Sequence, residues 1–349
     1  MDYVERSKLM RLSLLDLSPV PPNGDRNKAI ADTIELAQRA EELGYTRIWV
    51  AEHHNTGALA GRAPEVLIPY IAAKTSKIRV GSGSVLLNHY SPYKVAENFC
   101  ALNEMFPGRI DMGVGRANTG PVADIALQRN RTFRQDTEDS FEQLVELLGW
   151  LNNDFEPAHP FHKVKVYNNG TLPAVWLLGS SPWSALAAAQ LGLRYAFAGF
   201  INPSSAYEIV RTYREKFSPS SKTTGVQKPE VTLSVSVYCA EDGQDAIRLS
   251  APVQVMLQRV RQHGDLSGLL PTEDEAVRQL GDSVRKGELT DPTAPPQMLT
   301  GTPEQVKAWL HQLAVAFGAT EIMIQCISPH FERRLRSIEL IAQALGTSK

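Results

Sequence analysis

The sequence predicts a (β/α)8 barrel, an α/β fold in which eight parallel strands alternate with helices. Strand-like and helix-like segments alternate from one end of the chain to the other. The strand-like segments are short and mostly apolar, which is typical of parallel strands buried on both faces. Eight such units also fit a chain of 349 residues. The predicted strands are 11–17, 47–54, 78–87, 109–116, 173–178, 194–200, 231–240 and 321–327.

Proline and glycine mark the ends of the predicted helices. Gly44 follows the first helix, 28–43, as a left-handed capping residue would. Pro64 and Pro92 open the next two helices, because proline suits a first turn, and Pro107-Gly108 ends the second of these. The remaining predicted helices are 136–151, 182–191, 203–217, 245–261, 303–317 and 331–345.

The segment from Gln262 to Thr300 breaks the alternation. It is polar and irregular, and it is rich in glycine and proline. Long loops within compact domains are usually lids or linkers. We therefore expect an insertion before the eighth strand, 262–300, that lies over the barrel mouth as a mobile lid. A passive surface excursion is the alternative. The whole chain, 1–349, is predicted to be one barrel domain.

Composition argues against several classes of protein. The formal net charge is −2, so we expect neither nucleic acid nor a membrane surface as a partner. No run of about 20 apolar residues is present. Cys100, Cys239 and Cys326 lack the spacing of a metal site, and residues 1–10 lack the apolar core of a signal peptide. These features predict a cytoplasmic protein without a bound metal.

Glu52, His53 and His54 are the strongest candidates for catalysis. They close the second predicted strand, and barrel enzymes carry out their chemistry at the carboxyl ends of the strands. An imidazole titrates near neutral pH and suits proton transfer. Adjacent strand residues point to opposite sides, so we expect one histidine to face the cavity. The other histidine, or Glu52, would orient it. Purely structural histidines are the alternative.

A glycine/serine run and a strand-to-helix turn indicate a cofactor pocket. The run Gly81-Ser82-Gly83-Ser84 stands in the middle of a strand, where glycine marks a bulge or the close approach of a ligand to the backbone. The turn 178–184 opens a helix, and a helix N-terminus with hydroxyl donors suits a phosphate. The hydroxyl residues of this turn are Ser180, Ser181 and Ser184.

Cations and polar groups near the same barrel face extend this pocket. Arg116 ends the fourth strand and suits bidentate binding of a phosphate. Asn88 and His89 follow the third strand and are further candidates at the mouth. A second cation is predicted from the loop after Arg116, where the candidates are Arg129, Arg131 and Arg134.

Four motifs in order along the chain resemble the bacterial luciferase-like monooxygenase family. The resemblance covers nearly the full length of the chain. The opening segment 12–19 resembles the non-luminescent subgroup that acts on small molecules and natural products. The motifs are Trp49-Val50-Ala51-Glu52-His53-His54, Val80-Gly81-Ser82-Gly83-Ser84-Val85, Pro107-Gly108-Arg109-Ile110-Asp111-Met112-Gly113-Val114-Gly115-Arg116 and Leu299-Thr300-Gly301-Thr302-Pro303-Glu304.

The resemblance implies a TIM barrel that binds reduced FMN at the carboxyl ends of its strands. By motif, Gly83-Ser84 matches a non-proline cis peptide beside the flavin ring. His53 matches the catalytic histidine of the family, and Glu52 its carboxylate neighbour. Arg116 matches the arginine that holds the FMN phosphate. The serines at 180, 181 and 184 fall in the phosphate turn, and 262–300 matches the substrate lid.

Two positions depart from the light-emitting members. These carry a reactive cysteine just before the phosphate arginine, where this chain has Gly115, and an Ala-Ala bulge where this chain has Gly83-Ser84. The departures argue against luminescent aldehyde oxidation, though not against flavin binding.

The implied activity is that of a two-component monooxygenase. A separate reductase would supply reduced FMN, because the chain lacks a dinucleotide-binding fingerprint, and O2 would give a flavin hydroperoxide that oxygenates a mostly apolar organic substrate. Two alternatives stay open: a hydride-transfer enzyme that uses a deazaflavin, and a flavin-binding protein without catalysis. A homodimer is expected through the early helices, which carry Tyr70 and follow Ser91.

Overall fold

The computed structural model describes residues 10–116, 121–127, 139–264 and 266–347. Within these ranges it forms a closed barrel of parallel strands with helices between them, which confirms the predicted (β/α)8 barrel. The strands are β1 (Arg11–Asp16), β2 (Arg47–Val50), β3 (Arg79–Ser82), β4 (Val85–Leu86), β5 (Ile110–Gly115), β6 (Ala174–Gly179), β7 (Arg194–Ala198), β8 (Val231–Cys239), β9 (Met298–Gly301) and β10 (Glu321–Gln325).

Eight strand positions close the barrel. Their order is β1, β2, β3, β5, β6, β7, β8 and β10, and β10 pairs in parallel with both β8 and β1. The short strand β4 follows β3 and pairs with β5. The strand β9 pairs with the last residues of β8, from Ser236 to Cys239, beyond most of the segment that pairs with β10.

Helices follow the strands along the described parts of the chain. They are α1 (Arg26–Glu42), α2 (Pro64–Lys74), α3 (Pro92–Met105), α4 (Pro121–Leu127), α5 (Ser140–Asn152), α6 (Pro182–Leu191), α7 (Ala206–Lys216), α8 (Gly243–His263), α9 (Glu273–Leu280), α10 (Pro303–Phe317) and α11 (Phe331–Leu345). The described residues include no helix that is both long and apolar enough to cross a bilayer.

The barrel interior is filled by large side chains. Every residue of β2 and of β8 is buried, as their apolar composition predicts. Trp49 of β2 and Trp176 of β6 meet edge to face, with ring centroids 5.4 Å apart. Because β2 and β6 are not neighbours in the sheet, this contact crosses the interior of the barrel and leaves the carboxyl-end mouth as the place for a site.

A buried ion network lies at the amino end of the barrel strands. The Arg47 guanidinium donates to Asp111 at 2.7 Å and to Glu321 at 2.6 Å, and all three side chains are buried. Burial alone would lower the pKa of Arg47, but Asp111 and Glu321 raise it overall, so the cation is retained. The network ties β2, β5 and β10 together at the end of the barrel away from the predicted site.

The prediction that 262–300 is irregular was wrong in part. The helix α8 continues to His263, and the segment contains the helix α9 and the strand β9. The helix α9 begins with a capping box in which Thr272 and Glu275 satisfy each other's backbone N–H groups. The strand β9 forms because the last residues of β8 extend past the barrel and offer it a partner.

Several predicted boundaries also differ from the structure. The second strand ends at Val50 rather than at 54, and the third strand is broken into β3 and β4 at Gly83-Ser84. The predicted helix 136–151 begins at Ser140 in the described part of the chain, and the loop before it contains α4. The peptide bond between Gly83 and Ser84, at this break, is cis, as the family resemblance implies.

Candidate functional site

The predicted site residues gather at the carboxyl ends of the barrel strands. Glu52 and the two histidines follow β2, and Ser84 lies between β3 and β4. Arg116 follows β5, and the turn at Ser181 follows β6. Neighbouring parallel strands end at the same rim, so these positions face one mouth.

The Glu52 carboxylate is buried and accepts three hydrogen bonds. Its Oε1 lies 2.7 Å from His54 Nε2 and accepts from the Tyr90 hydroxyl at 2.6 Å. Its Oε2 accepts from the Leu86 N–H at 2.9 Å. Since a carboxylate only accepts, His54 donates from Nε2. Glu52 and His54 therefore act as one hydrogen-bonded pair.

His53 lies in a different environment from His54. Its backbone N–H donates to the Gly61 carbonyl at 3.1 Å. Its Nδ1 is buried and has no hydrogen-bond partner among the described residues. Burial, and secondarily the neighbouring His54, lower the pKa of His53 to about 4. His53 is therefore a neutral imidazole at neutral pH.

Gly83, Ser84 and Gly115, at the ends of β3 and β5, are closely packed, and we call this group the ledge. A Cβ at Gly83 would stand 2.7 Å from Leu15 Cδ1 and 3.1 Å from Trp49 Cβ. A Cβ at Gly115 would stand 2.5 Å from the Ser84 hydroxyl oxygen. The two departures from the light-emitting pattern are therefore linked in space, because the Ser84 side chain occupies the volume that a side chain at 115 would need.

A cleft beside this ledge is lined by Asn88, Gly115, Arg116 and Trp183. The Arg116 guanidinium carbon lies 4.7 Å from the centroid of the Trp183 ring, a distance at which a cation is attracted to an aromatic face. Trp183 is in the first turn of α6. The contact thus brings the cation at the end of β5 to the N-terminus of α6.

The serines of the α6 turn are not equivalent. Ser181 is the N-cap of α6, and the carbonyl of Ser180 accepts from Asn202 at 3.0 Å. The Ser184 hydroxyl is buried, donates to the Ser181 carbonyl at 2.8 Å and lies 3.0 Å from the Tyr195 hydroxyl. The hydroxyl of Ser184 is thereby turned into the protein. Ser180 and Ser181 are half-buried, and the Ser181 hydroxyl accepts from the Ser184 N–H at 3.5 Å.

A second cavity of about 240 Å³ is lined in part by Val85, His89 and Tyr90, which flank Asn88 in the chain. His89 is at its wall, with its side chain buried and its Nε2 3.3 Å from the Asp124 carboxylate of α4. Burial lowers the pKa of His89. The lining residues are Glu65, Val85, His89, Tyr90, Ser91, Lys94, Val95, Asn98, Phe99 and Leu127.

The insertion contacts the loop that follows the catalytic candidates. The Leu266 carbonyl accepts from the Thr56 hydroxyl at 2.9 Å and from the Gly57 N–H at 3.0 Å. A Cβ at Gly57 would collide with the Ser267 carbonyl, so only glycine permits this approach. The start of the segment 262–300 is therefore anchored close to His54.

Two parts of the site were missed by sequence reasoning. Tyr90 donates to Glu52, and nothing in the spacing of residues 52 and 90 signals this contact. Asp16, at the end of β1, pairs with the buried Arg334 of α11 at 2.6 Å. A buried carboxylate at a strand end was a usable signal for Asp16, since such groups are rarely buried without a partner. The predicted cations Arg129, Arg131 and Arg134 lie outside the described residues.

A barrel with a buried carboxylate, histidines and a cation at the carboxyl ends of its strands has the arrangement of a barrel enzyme. Comparison with known proteins then identifies the family. A family model described as luciferase-like monooxygenase matches residues 10–321. A luciferase-like monooxygenase of Escherichia coli (strain K12) is 35% identical over 333 residues, which are 95% of this chain and 96% of the relative.

Two further relatives agree with this match. The N-acetyl-S-alkylcysteine monooxygenase of Bacillus subtilis (strain 168) is 40% identical over 244 residues, which are 68% of this chain and 70% of the relative. The crystal structure of apo-MsnO8 is 38% identical, with a TM-score of 0.86 over 97% of this chain and 98% of that chain. The chain belongs to the luciferase-like monooxygenase family and is an oxidoreductase, which confirms the family predicted from the motifs.

More distant structures share the fold alone. The oxygenating constituent of 3,6-diketocamphane monooxygenase from Pseudomonas putida, solved in complex with FMN, is 20% identical with a TM-score of 0.67. An F420-dependent secondary alcohol dehydrogenase, solved with an F420-acetone adduct, is 15% identical with a TM-score of 0.64. The fold thus serves both a flavin and a deazaflavin.

Proposed function

We propose that the protein is a flavin-dependent monooxygenase that uses reduced FMN and O2 to oxygenate a mostly apolar small organic substrate. The observation that carries this proposal is the stacking of Arg116 on Trp183 at the N-terminus of α6. A fixed cation beside a helix N-terminus suits a terminal phosphate. FMN carries such a group. Ser180 and Ser181 would add donors from the turn, and Asn88 lines the same cleft.

The ledge at Gly83-Ser84 suits a flat ring. Bare backbone at this strand end lets an aromatic ligand approach closely, and Leu15 and Trp49 pack beneath it. Reduced FMN, when bound, would supply the electrons that activate dioxygen. The chain's own part is to hold the ring, to exclude water and to manage protons.

His53 is proposed to manage the proton. Its imidazole is half-buried and neutral at neutral pH, so it can donate the proton of one ring nitrogen while the other ring nitrogen accepts one. Glu52 and His54, which the sequence also places in the catalytic group, contact each other at 2.7 Å and would support His53 from the adjacent side.

The substrate is proposed to be small and largely apolar. The cavity beside Tyr90 is lined in part by Val85, Val95, Phe99 and Leu127, and its volume of about 240 Å³ limits the size of a guest. The Bacillus subtilis relative is named for an N-acetyl-S-alkylcysteine substrate, which is also a small molecule with an apolar end. The segment 262–300, anchored at Leu266, is proposed to act as a lid within a single barrel domain.

Two protein partners are part of the proposal. A separate reductase would deliver reduced FMN. A homodimer would form through the early helices, since Val66 and Tyr70 of α2 expose most or half of their apolar surface. Exposed apolar residues on one helix often mark a protein contact. Light scattering of the wild type and of Tyr70→Glu tests the dimer. Equal molecular masses for the two proteins would contradict this interface.

Two separate binding titrations test the choice of cofactor. The protein would be titrated without oxygen against reduced FMN and, separately, against reduced F420, with intrinsic fluorescence as the readout. We expect FMN to bind the more tightly, because Arg116 and the α6 turn match one phosphate close to the ring. Tighter binding of F420 would favour the deazaflavin alternative. FMN binding without any oxygen-dependent product would favour the non-catalytic alternative.

A further inference from the structure

The loop between β4 and α3 is hydrogen-bonded to the Glu52 carboxylate at two points. Leu86, at the start of the loop, donates its N–H to Oε2, and Tyr90, at the end of the loop, donates its hydroxyl to Oε1. Asn88 stands between these two points, in the one turn of 3-10 helix from Leu87 to His89. A single buried carboxylate therefore holds both ends of the loop that presents Asn88 to the cleft.

The same contacts fix the ledge. Leu86 pairs with Gly115 in the sheet, and Val85 pairs with Val114. Ser84 directly precedes this pair and fills the space beside Gly115. The position of Leu86 thus sets how Ser84 lies against the end of β5, which leads into Arg116.

The Tyr90 hydroxyl is suited to a permanent contact. Burial, and then the hydrogen bond to Glu52, raise the pKa of Tyr90, so the hydroxyl keeps its proton and remains a donor. The side chain of Glu52 is wholly buried, so loss of the Tyr90 donor would leave Oε1 with His54 alone, and solvent would not replace the lost hydrogen bond. The contact is therefore expected to hold the loop rather than to exchange with solvent.

We propose that Tyr90 is a positioning residue, which clamps the loop 85–90 onto Glu52 and so places Asn88 and Ser84 against the cofactor. Glu52 acts in this clamp as a fixed acceptor that both ends of the loop share. His54 orients the carboxylate from the other side, through its bond to Oε1. The part of this proposal that concerns the cofactor rests on the proposed function.

Tyr90→Phe tests the clamp, with Tyr93→Phe as the matched control. Tyr93 lies in the first turn of α3, three residues after Tyr90, and its hydroxyl bonds to Glu97. In the protein without flavin, hydrogen exchange of the peptide that covers 84–91 would be compared. We expect exchange at Leu86 and its neighbours to rise about tenfold in Tyr90→Phe, the loss of roughly one hydrogen bond, and to stay unchanged in Tyr93→Phe.

The second readout is the Kd of FMN. We expect Tyr90→Phe to raise it by about tenfold, and a double-mutant cycle with Glu52→Gln to show that the two changes are not additive. Tyr93→Phe and Glu52→Gln should add independently. Rising exchange with an unchanged Kd would overturn the positioning role, and unchanged exchange would overturn the clamp.

If the proposed cofactor is wrong, the experiments give a different result from the one that contradicts the clamp. A wild-type protein that binds no FMN at any concentration would contradict the proposed cofactor and, with it, the placement of Asn88 and Ser84 against that cofactor. The exchange comparison would still decide whether Tyr90 holds the loop onto Glu52, because it is made on the protein alone.

Discussion

Two adjacent histidines lie in different surroundings. His54 donates to Glu52, whereas His53 is half-buried, with a buried Nδ1 that has no hydrogen-bond partner among the described residues. Burial favours the neutral form of an imidazole. A sequence of two neighbouring histidines indicates a proton-handling site, but only the packing around each ring tells which one is kept neutral.

His53 predicts how stability depends on pH. Its pKa is about 4 in the folded protein, below the value of about 6.5 expected for the unfolded chain. Between these values the unfolded chain binds the extra proton, so stability falls as the pH is lowered. From pH 7 to pH 5 this costs the wild type about 2 kcal/mol of unfolding free energy.

Urea unfolding at the two pH values checks this prediction. His53→Gln should lose about 2 kcal/mol less than the wild type over the same change. His263→Gln, which alters an exposed histidine, should retain the wild-type dependence on pH. Equal losses in the wild type and His53→Gln would contradict a His53 that stays neutral in the folded protein.

Arg116 predicts a dependence on the phosphate of the cofactor. Removing a cation that binds phosphate costs about 1.5–3 kcal/mol, so Arg116→Ala should raise the Kd of FMN by roughly 10–100-fold. Binding of riboflavin, which has no phosphate, should change little. Arg211→Ala, an exposed residue of α7, is the control. An equal loss for FMN and riboflavin would place the phosphate elsewhere.

At the scale of the elements, the ends of β3 and β5 are fitted to each other. Gly115 has no room for a side chain because Ser84 fills that space. The lack of the luciferase cysteine and the Gly83-Ser84 bulge are therefore one structural feature rather than two. A substitution at one of these strand ends should therefore alter the packing of the other.

Gly115→Ala should weaken FMN binding, because the new methyl group collides with the Ser84 hydroxyl. Overpacking of this kind costs about 1–3 kcal/mol. Ser84→Ala removes the hydroxyl, so the double variant should regain part of the stability and of the affinity. Thermal unfolding and FMN titration of the two single variants and the double variant measure this. Simple additivity would show that the two positions are not coupled.

The elements differ in how far the sequence predicts them. Proline at Pro64 and Pro92 and glycine at Gly44 mark helix ends correctly, because capping is local chemistry. The helix α9 was also signalled locally, by Thr272 and Glu275, and was overlooked within a polar segment. The strand β9 was not predictable in this way, since it depends on the extension of β8.

The site shows the same division between local and distant causes. The sequence places Glu52 and Arg116 at strand ends, Ser84 within a strand and Ser181 in a strand-to-helix turn, and the barrel then brings them to one rim. The partners of these groups come from far along the chain: Tyr90 is 38 residues from Glu52, and Arg334 is 318 residues from Asp16. Periodicity and capping carry no information about such pairs.

At the scale of the whole molecule, the two ends of the barrel do different work. The amino end holds the buried network of Arg47, Asp111 and Glu321. The carboxyl end holds the Glu52 cluster, the ledge, the α6 turn and the buried pair of Asp16 and Arg334. The larger buried ion network thus lies at the end of the barrel away from the proposed site, which is the end that serves stability in barrel enzymes.

Arg47→Met tests this division. Removing one partner leaves buried carboxylates without their cation, which costs about 3–5 kcal/mol. We expect urea unfolding to show this loss, while the folded variant binds FMN with the wild-type Kd. Arg211→Met, which breaks an exposed pair with Glu208, should change stability by less than about 0.5 kcal/mol. A large loss of FMN affinity in folded Arg47→Met would contradict the division.

In the proposed function, this barrel directs the reaction of reduced FMN with dioxygen. The most direct measurement mixes the anaerobic protein and reduced FMN with oxygenated buffer and follows the absorbance of oxidised flavin. We expect a pronounced lag that free reduced FMN lacks and that His53→Ala shortens. Immediate reoxidation at the rate of free flavin, with or without the protein, would contradict it.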